Sequence, residues 1–206
     1  MTLSALFATQ LYQANLAEEP GFAALLPELI EAAYMLAEED RAGRAWSKAN
    51  GYRGYTSYAS LDDLPTRATA FAELVRRLDK HAAAFAKALQ FDLGGKRLKL
   101  DSLWVNILKP GGAHTGHIHP LSVLSGTLYL ATPPGSGQLK LEDPRLERMM
   151  ARPPLKPDAP EIARTFVYLT PEPGSLVIWE SWLRHEVVAS AAKGDRISLS
   201  FNYGWR

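Results

Sequence analysis

Hydrophobic and polar positions change their period along this chain, and the change divides it into a helical first part and a β second part. From Pro20, Phe22, Leu25, Leu26, Leu29, Ile30, Ala33 and Leu36 recur at intervals of three and four residues, the stripe of a helix with one face buried. Pro20 suits the first turn of this helix, Pro27 implies an interrupted or late start, and Gly43 suits a stop. A second stripe, Phe71, Leu74, Val75, Leu78, Ala82, Phe85 and Leu89, predicts a long helix with Ser60 and Asp63 as a capping pair before it. His81 falls inside this helix. No second ligand-type residue follows it one turn on, so it reads as structural or exposed. Ahead of both helices, Phe7, Leu11, Tyr12 and Leu16 alternate loosely, as in a first strand at a sheet edge. Between the helices, Trp46 to Tyr58 reads as an aromatic loop that packs at a rim or walls a pocket.

From Lys96 onward the period is two and no further helix is predicted. In KRLKLDSLWVNILKP, Leu103, Val105 and Ile107 share one parity while Trp104, Asn106 and Leu108 share the other, so the strand is covered on both faces. Asn106 is then a polar group on a buried strand and needs a partner, either a ligand or a backbone group. TLYLAT, QLKLEDPR, FVYLT, SLVIWE and DRISLSFNYGW follow, separated by Gly and Pro turns. Leu128 and Leu130 face away from Tyr129; Arg196, Ser198, Ser200 and Asn202 face away from Ile197, Leu199, Phe201 and Tyr203. The polar face of that last strand either meets water or lines a hydrated cavity near the His185 strand. The proline-rich stretch from Leu146 to Arg164 reads as an exposed loop or lid. Roughly eight strands after two helices predict a mainly β protein, a double-sheet jelly roll with N-terminal helices packed on one sheet. A single domain over residues 1–206 is expected, with 1–95 as edge strand and supporting helices and 96–206 as the jelly-roll core.

Three of the five histidines fall in GGAHTGHIHP, at His114, His117 and His119. On an extended chain His117 and His119 project to one side and Ile118 to the other. Two imidazoles on one strand plus His185, at the start of an apolar strand in WLRHEVV, make an open facial metal site of the non-haem Fe(II) kind. Exposed or hydrogen-bonded loop histidines give the same text. Strand ends beside Pro-Gly turns, where both histidine groups lie, favour the functional reading. His114 replacing one of the pair, or Asp143 supplying a carboxylate, are the alternatives.

Composition narrows the chemistry. The chain has 206 residues, 47% of them hydrophobic, a formal charge of +1 and no cysteine. Disulfides, thiolate ligands and a cysteine nucleophile are excluded, which leaves imidazole, carboxylate and water as ligands. Near-neutral, interspersed charge recommends neither nucleic acid nor a membrane surface as partner. The N-terminus has no basic, apolar leader and no apolar run approaches the ~20 residues of a membrane span, so a soluble cytoplasmic protein is expected, a homodimer being compatible with it.

Taken together, W-V-N from Trp104, H-I-H-P from His117, S-G-T-L-Y-L from Ser125, E-D-P-R from Glu142, P-G-S-L-V-I-W-E-S-W-L-R-H from Pro173 and R-I-S-L-S-F-N from Arg196 resemble the double-stranded β-helix of the iron- and 2-oxoglutarate-dependent oxygenases, most closely a bacterial and phage branch. The resemblance covers roughly residues 100–206. It implies Fe(II) held by His117, His119 and His185, and 2-oxoglutarate held by Arg196, eleven positions after His185, with Ser198, Asn106 and Tyr129 beside it. A guanidinium fork matches a carboxylate bidentately. It implies a hydroxylase, whose substrate the sequence leaves open: near-neutral charge and the aromatic loop fit a peptide side chain, a small metabolite or a modified base equally. The superfamily usually has H-x-D where this chain has His119, one negative charge fewer at the metal. Two other readings stand beside it: a cupin-like three-histidine metalloprotein that does not use 2-oxoglutarate, and a non-catalytic binding jelly roll. The first lacks the glutamate of the first cupin motif, since Val123 and Leu124 stand there.

Overall fold

A computed structural model describes residues 2–145, 148 and 150–205. Strand β1 (Leu11–Asn15) leads through a short 3-10 turn into helix α1 (Phe22–Glu39), α2 (Arg41–Ala49), strand β2 (Gly54–Thr56), the short helix α3 (Leu64–Arg67) and the long helix α4 (Thr69–Ala88). Eight strands follow: β3 (Leu98–Leu108), β4 (His114–His117), β5 (Leu124–Ala131), β6 (Leu139–Glu142), β7 (Phe166–Leu169), β8 (Ser175–Glu180), β9 (His185–Val187) and β10 (Arg196–Trp205). They form a six-stranded sheet ordered β1-β8-β5-β10-β3-β2 and a four-stranded sheet ordered β4-β9-β6-β7, antiparallel throughout. Consecutive strands repeatedly cross from one sheet to the other, which is the jelly-roll topology.

The two predicted stripes bury themselves against one face of the large sheet. Phe22, Leu25, Leu29, Ala33 and Leu36 of α1 and Phe71, Leu74, Leu78, Ala82 and Phe85 of α4 share one core with Leu103, Val105, Ile107, Leu128, Leu199 and Phe201. Each large side chain so buried contributes roughly 1.5–3 kcal/mol. The opposite parity of β3, β5, β8 and β10 faces the small sheet, where Tyr129, Val177 and Trp179 pack with Leu139, Leu141 and Leu183. The double covering of β3 and the edge position of β1 are as expected.

Local expectations fail at four places in the helical part. Pro27 lies inside α1 without ending it; it forfeits one bond to the Ala23 carbonyl, and the buried Phe22, Leu25 and Leu29 hold the helix on the sheet. Gly43 does not stop α1, which ends at Glu39 with Asp40 as its cap; it lies inside α2, where a Cβ would come 2.2 Å from Asp40 Oδ2 and 2.9 Å from the Tyr55 ring. Trp46 to Ala49 are therefore helical, and Gly54 to Thr56 form a strand on β3. Ser60 and Asp63 are not a capping pair: Ser60 Oγ donates to Asp40 and Asp63 pairs with Arg67. His81 is structural, with Nδ1 2.8 Å from Tyr12 Oη and Nε2 donating to Glu19. Of the expected loop from Leu146 to Arg164, residues 146, 147 and 149 lie outside the described set. None of its described residues lines the histidine cleft. No helix among the described residues is long and apolar enough to cross a membrane.

Candidate active site

Four histidines meet in a cleft of about 460 Å³, open mouth included, between the two sheets. His117 ends β4 and pairs across the ladder with His185, the first residue of β9; their ring centroids are 4.3 Å apart. His119 stands two residues on, just past the strand, with Ile118 turned outward between them. The period-two expectation is met even though β4 has ended. One ring nitrogen from each of His117, His119 and His185 lies within 4.8 Å of the others, and the two Nε2 atoms of His119 and His185 are 3.3 Å apart. A facial ligand set with bonds of about 2.1 Å places its nitrogens roughly 3 Å apart, so the three fit one metal ion.

Protonation fits the same role. His117 Nδ1 lies 2.7 Å from the Thr115 carbonyl and His185 Nδ1 2.9 Å from the Leu183 carbonyl. A carbonyl only accepts, so both Nδ1 atoms carry the proton and both Nε2 lone pairs face the cleft. Burial lowers the pKa of His119 to about 4 and of His185 to about 3, and also pulls His117 down. All are neutral at physiological pH, the state in which imidazole ligates. Trp179 lies edge-on to His185 at 4.6 Å and Trp104 is tilted on His119 at 5.7 Å, walling the group with apolar surface.

His114 joins them by an irregularity. A register shift between His114 and His117 cancels the alternation that would put residues three apart on opposite faces. The His114 ring stacks on His117 at 4.4 Å and meets Tyr52 edge-on. It is outside the group of three converging nitrogens. Asp143 is no alternative ligand, for it is held by Arg145 and Arg148 and does not line the cleft.

The large sheet supplies the facing wall. Arg196, only 2% exposed, opens β10. Its Nη1 donates to Ser198 Oγ at 3.3 Å and its guanidinium lies 4.9 Å over the Tyr129 ring. Arg196 Nε and Trp179 Nε1 are buried without a hydrogen-bond partner, and Tyr129 Oη, near the guanidinium, makes none of good geometry. No carboxylate pairs with Arg196 among the described residues. A buried, unpaired cation with orphaned donors around it is costly unless an anion binds there.

Asn106 finds its partners in side chains: its Oδ1 accepts from Tyr52 Oη and Thr56 Oγ1, and its Nδ2 donates to Ser200 Oγ. This lets β2 fix the cleft wall. Gly54 permits the approach, since a Cβ there would sit 1.9 Å from the Ile107 carbonyl oxygen. Tyr52 thus walls the pocket instead of packing at a rim. Trp104, Thr127 and Trp179 also line the cleft; in SLVIWE every central position is apolar, so no alternation in the text distinguishes the cleft face on which Trp179 lies.

Residues 102–202 match a family model described as "Putative 2OG-Fe(II) oxygenase". No curated protein matches the chain. Among solved structures, a prolyl-4-hydroxylase from Pseudomonas putida is 19% identical over 96% of this chain and 94% of its own, with a TM-score of 0.56. HygX from Streptomyces hygroscopicus, with nickel and 2-oxoglutarate bound, is 15% identical over 96% of this chain and 83% of its own, at 0.61. The epimerase SnoN, in complex with Fe3+, alpha ketoglutarate and nogalamycin RO, is 15% identical over 96% and 79%, at 0.63. These likenesses establish the jelly-roll fold, and the matched segment carries all three converging histidines and the buried arginine. Residues 102–202 therefore match the family model of the 2OG-Fe(II) oxygenases, and the three converging histidines in that segment are a group that could hold a metal ion.

Proposed function

We propose that His117, His119 and His185 hold the iron through their cleft-facing nitrogens and that Arg196, Ser198 and Tyr129 hold the far carboxylate of 2-oxoglutarate. The observation that carries this reading is that one cleft has three neutral imidazoles converging on one wall and a buried, unpaired guanidinium on the other. Iron(II) bound at the histidines supplies oxygen activation coupled to decarboxylation of the 2-oxo acid. The chain's own residues bind, orient and exclude water. Arg196 offers a planar fork to a carboxylate in a water-poor site, where a charge-assisted pair is strong. Ser198 steadies the fork, and the Tyr129 hydroxyl is a free donor beside it. Asn106, already bonded on both sides, shapes the wall. With three neutral ligands the protein brings no negative charge to the metal, so the dicarboxylate contributes a larger share of the neutralisation than beside an H-x-D pair.

The substrate class proposed is a small molecule or a peptide side chain presented at the cleft mouth, and the reaction is C–H hydroxylation in the cytoplasm. Support for both substrate classes comes from the relatives, which include a prolyl-4-hydroxylase and an epimerase bound to nogalamycin RO. Near-neutral charge supports neither nucleic acid nor membrane as partner. The test is to incubate iron-loaded protein with 2-oxoglutarate in air and follow succinate by NMR. Slow succinate formation is expected, abolished in His185→Ala. Iron-loaded protein that leaves 2-oxoglutarate untouched would contradict the reading.

A further inference from the structure

The three histidines are not held alike. His117 and His185 are each oriented by a hydrogen bond from their own Nδ1 to a carbonyl two residues back. His119 makes no such bond among the described residues, and it lies beyond the end of β4, outside the ladder. Its backbone is tethered to the neighbouring strand turn by the N–H, which donates to the Ser181 carbonyl at 3.0 Å, while its carbonyl accepts locally, from Ser122 N–H at 3.4 Å. Ser181 is 1% exposed and begins the turn that delivers His185 to β9. It therefore stands between the two ligands whose Nε2 atoms are 3.3 Å apart.

Ser181 is itself locked by a chain of buried side chains across the large sheet. Ser125 Oγ donates to Asn202 Oδ1 at 2.7 Å, and Asn202 Nδ2 donates to Ser102 Oγ at 3.0 Å. Asn202 Oδ1 can only accept, so the single Ser125 proton is committed there. The 2.7 Å contact between Ser125 and Ser181 then has Ser181 as donor. A satisfied network in so buried a place has one low-energy arrangement. Ser102, Asn202 and Ser125 come from β3, β10 and β5, so three strands of the large sheet determine where Ser181 stands.

We propose that Ser181, set by Ser125 and Asn202, is a positioning residue for the metal site, fixing the separation of His119 from His185. The inference rests on the proposed histidine ligation. Groups that orient a metal ligand in this way typically change metal affinity by roughly 10- to 100-fold when removed. The experiment is anaerobic titration of the apo full-length chain with Co(II), followed by its visible absorption bands, in wild type, Ser125→Ala, Ser181→Ala and Ser181→Thr. Expected is roughly a 10- to 100-fold weaker Co(II) affinity with altered bands in Ser125→Ala and in Ser181→Ala, and recovery toward wild type in Ser181→Thr, which keeps the donor. Circular dichroism before titration selects folded protein; if Ser181→Ala fails to fold, Ser125→Ala carries the test. A purely structural role would lower the apo melting temperature and leave affinity and spectrum unchanged in the folded variants, which would overturn the inference. Absence of Co(II) binding in wild type would instead overturn the ligation on which it rests.

Discussion

His119 occupies the place where the superfamily usually carries a carboxylate, yet its Nε2 faces that of His185 at 3.3 Å. Ligation by imidazole at this point predicts that His117→Ala, His119→Ala and His185→Ala each lose tight metal binding, while His114→Ala keeps it, because His114 stacks beside the set without converging on it. His119→Asp, restoring the commoner ligand, is expected to retain the metal. Elemental analysis of folded protein checks all five; unchanged metal in His185→Ala, or loss in His114→Ala, would contradict the assignment. H-x-H was legible because the alternation of extended chain carries through Ile118, and His185 because it opens a strand. The place of His114 was not, since the register shift that turns it into the cleft leaves no mark in HTGH. Nor were the partners of Asn106, which come from residues 52, 56 and 200.

Helices α1 and α4 could be seen in the sequence because each buries a continuous apolar stripe. Helix α2 could not: RAGRAWSKA is polar, and its buried residues are Gly43 and Ser47. What holds it is Asp40, which accepts from Gly43 N–H, Tyr55 Oη and Ser60 Oγ. Burial pushes the Asp40 carboxyl up, but these hydrogen bonds together outweigh it and hold its pKa below the ordinary value. A carboxylate depressed on folding contributes stability that is present above its unfolded pKa of about 3.9 and is lost as pH falls through the folded value. Asp40→Ala is expected to cost about 3 kcal/mol near neutral pH, since it removes a cap and strands the buried Tyr55 hydroxyl. That deficit should shrink as the solution is acidified below about pH 4. Urea unfolding of both proteins across that range measures it; a pH-independent difference would contradict the role given to the ionised carboxylate.

Across the whole molecule, the site depends on two sheets facing each other. The histidines stand on the small sheet and its adjoining loop, while Arg196, Ser198 and Tyr129 stand on the large one. Strand spacing and alternation made the two-sheet architecture legible. The order of strands was not, because pairings such as β1 with β8 and β10 with both β3 and β5 join distant segments and are selected by packing on the helices. If, as proposed, the histidines hold the metal and Arg196 the cosubstrate, the two are held by separate walls and should be separable by mutation. Arg196→Ala should leave metal content and fold intact while weakening 2-oxoglutarate by about 2–5 kcal/mol, and Arg196→Lys should fall between, keeping charge without the fork. Calorimetric titration of the iron-loaded, oxygen-free protein with 2-oxoglutarate measures this directly. The account predicts binding in wild type and a large loss in Arg196→Ala at unchanged iron; no binding by wild type at millimolar ligand, or equal binding by the alanine variant, would contradict it.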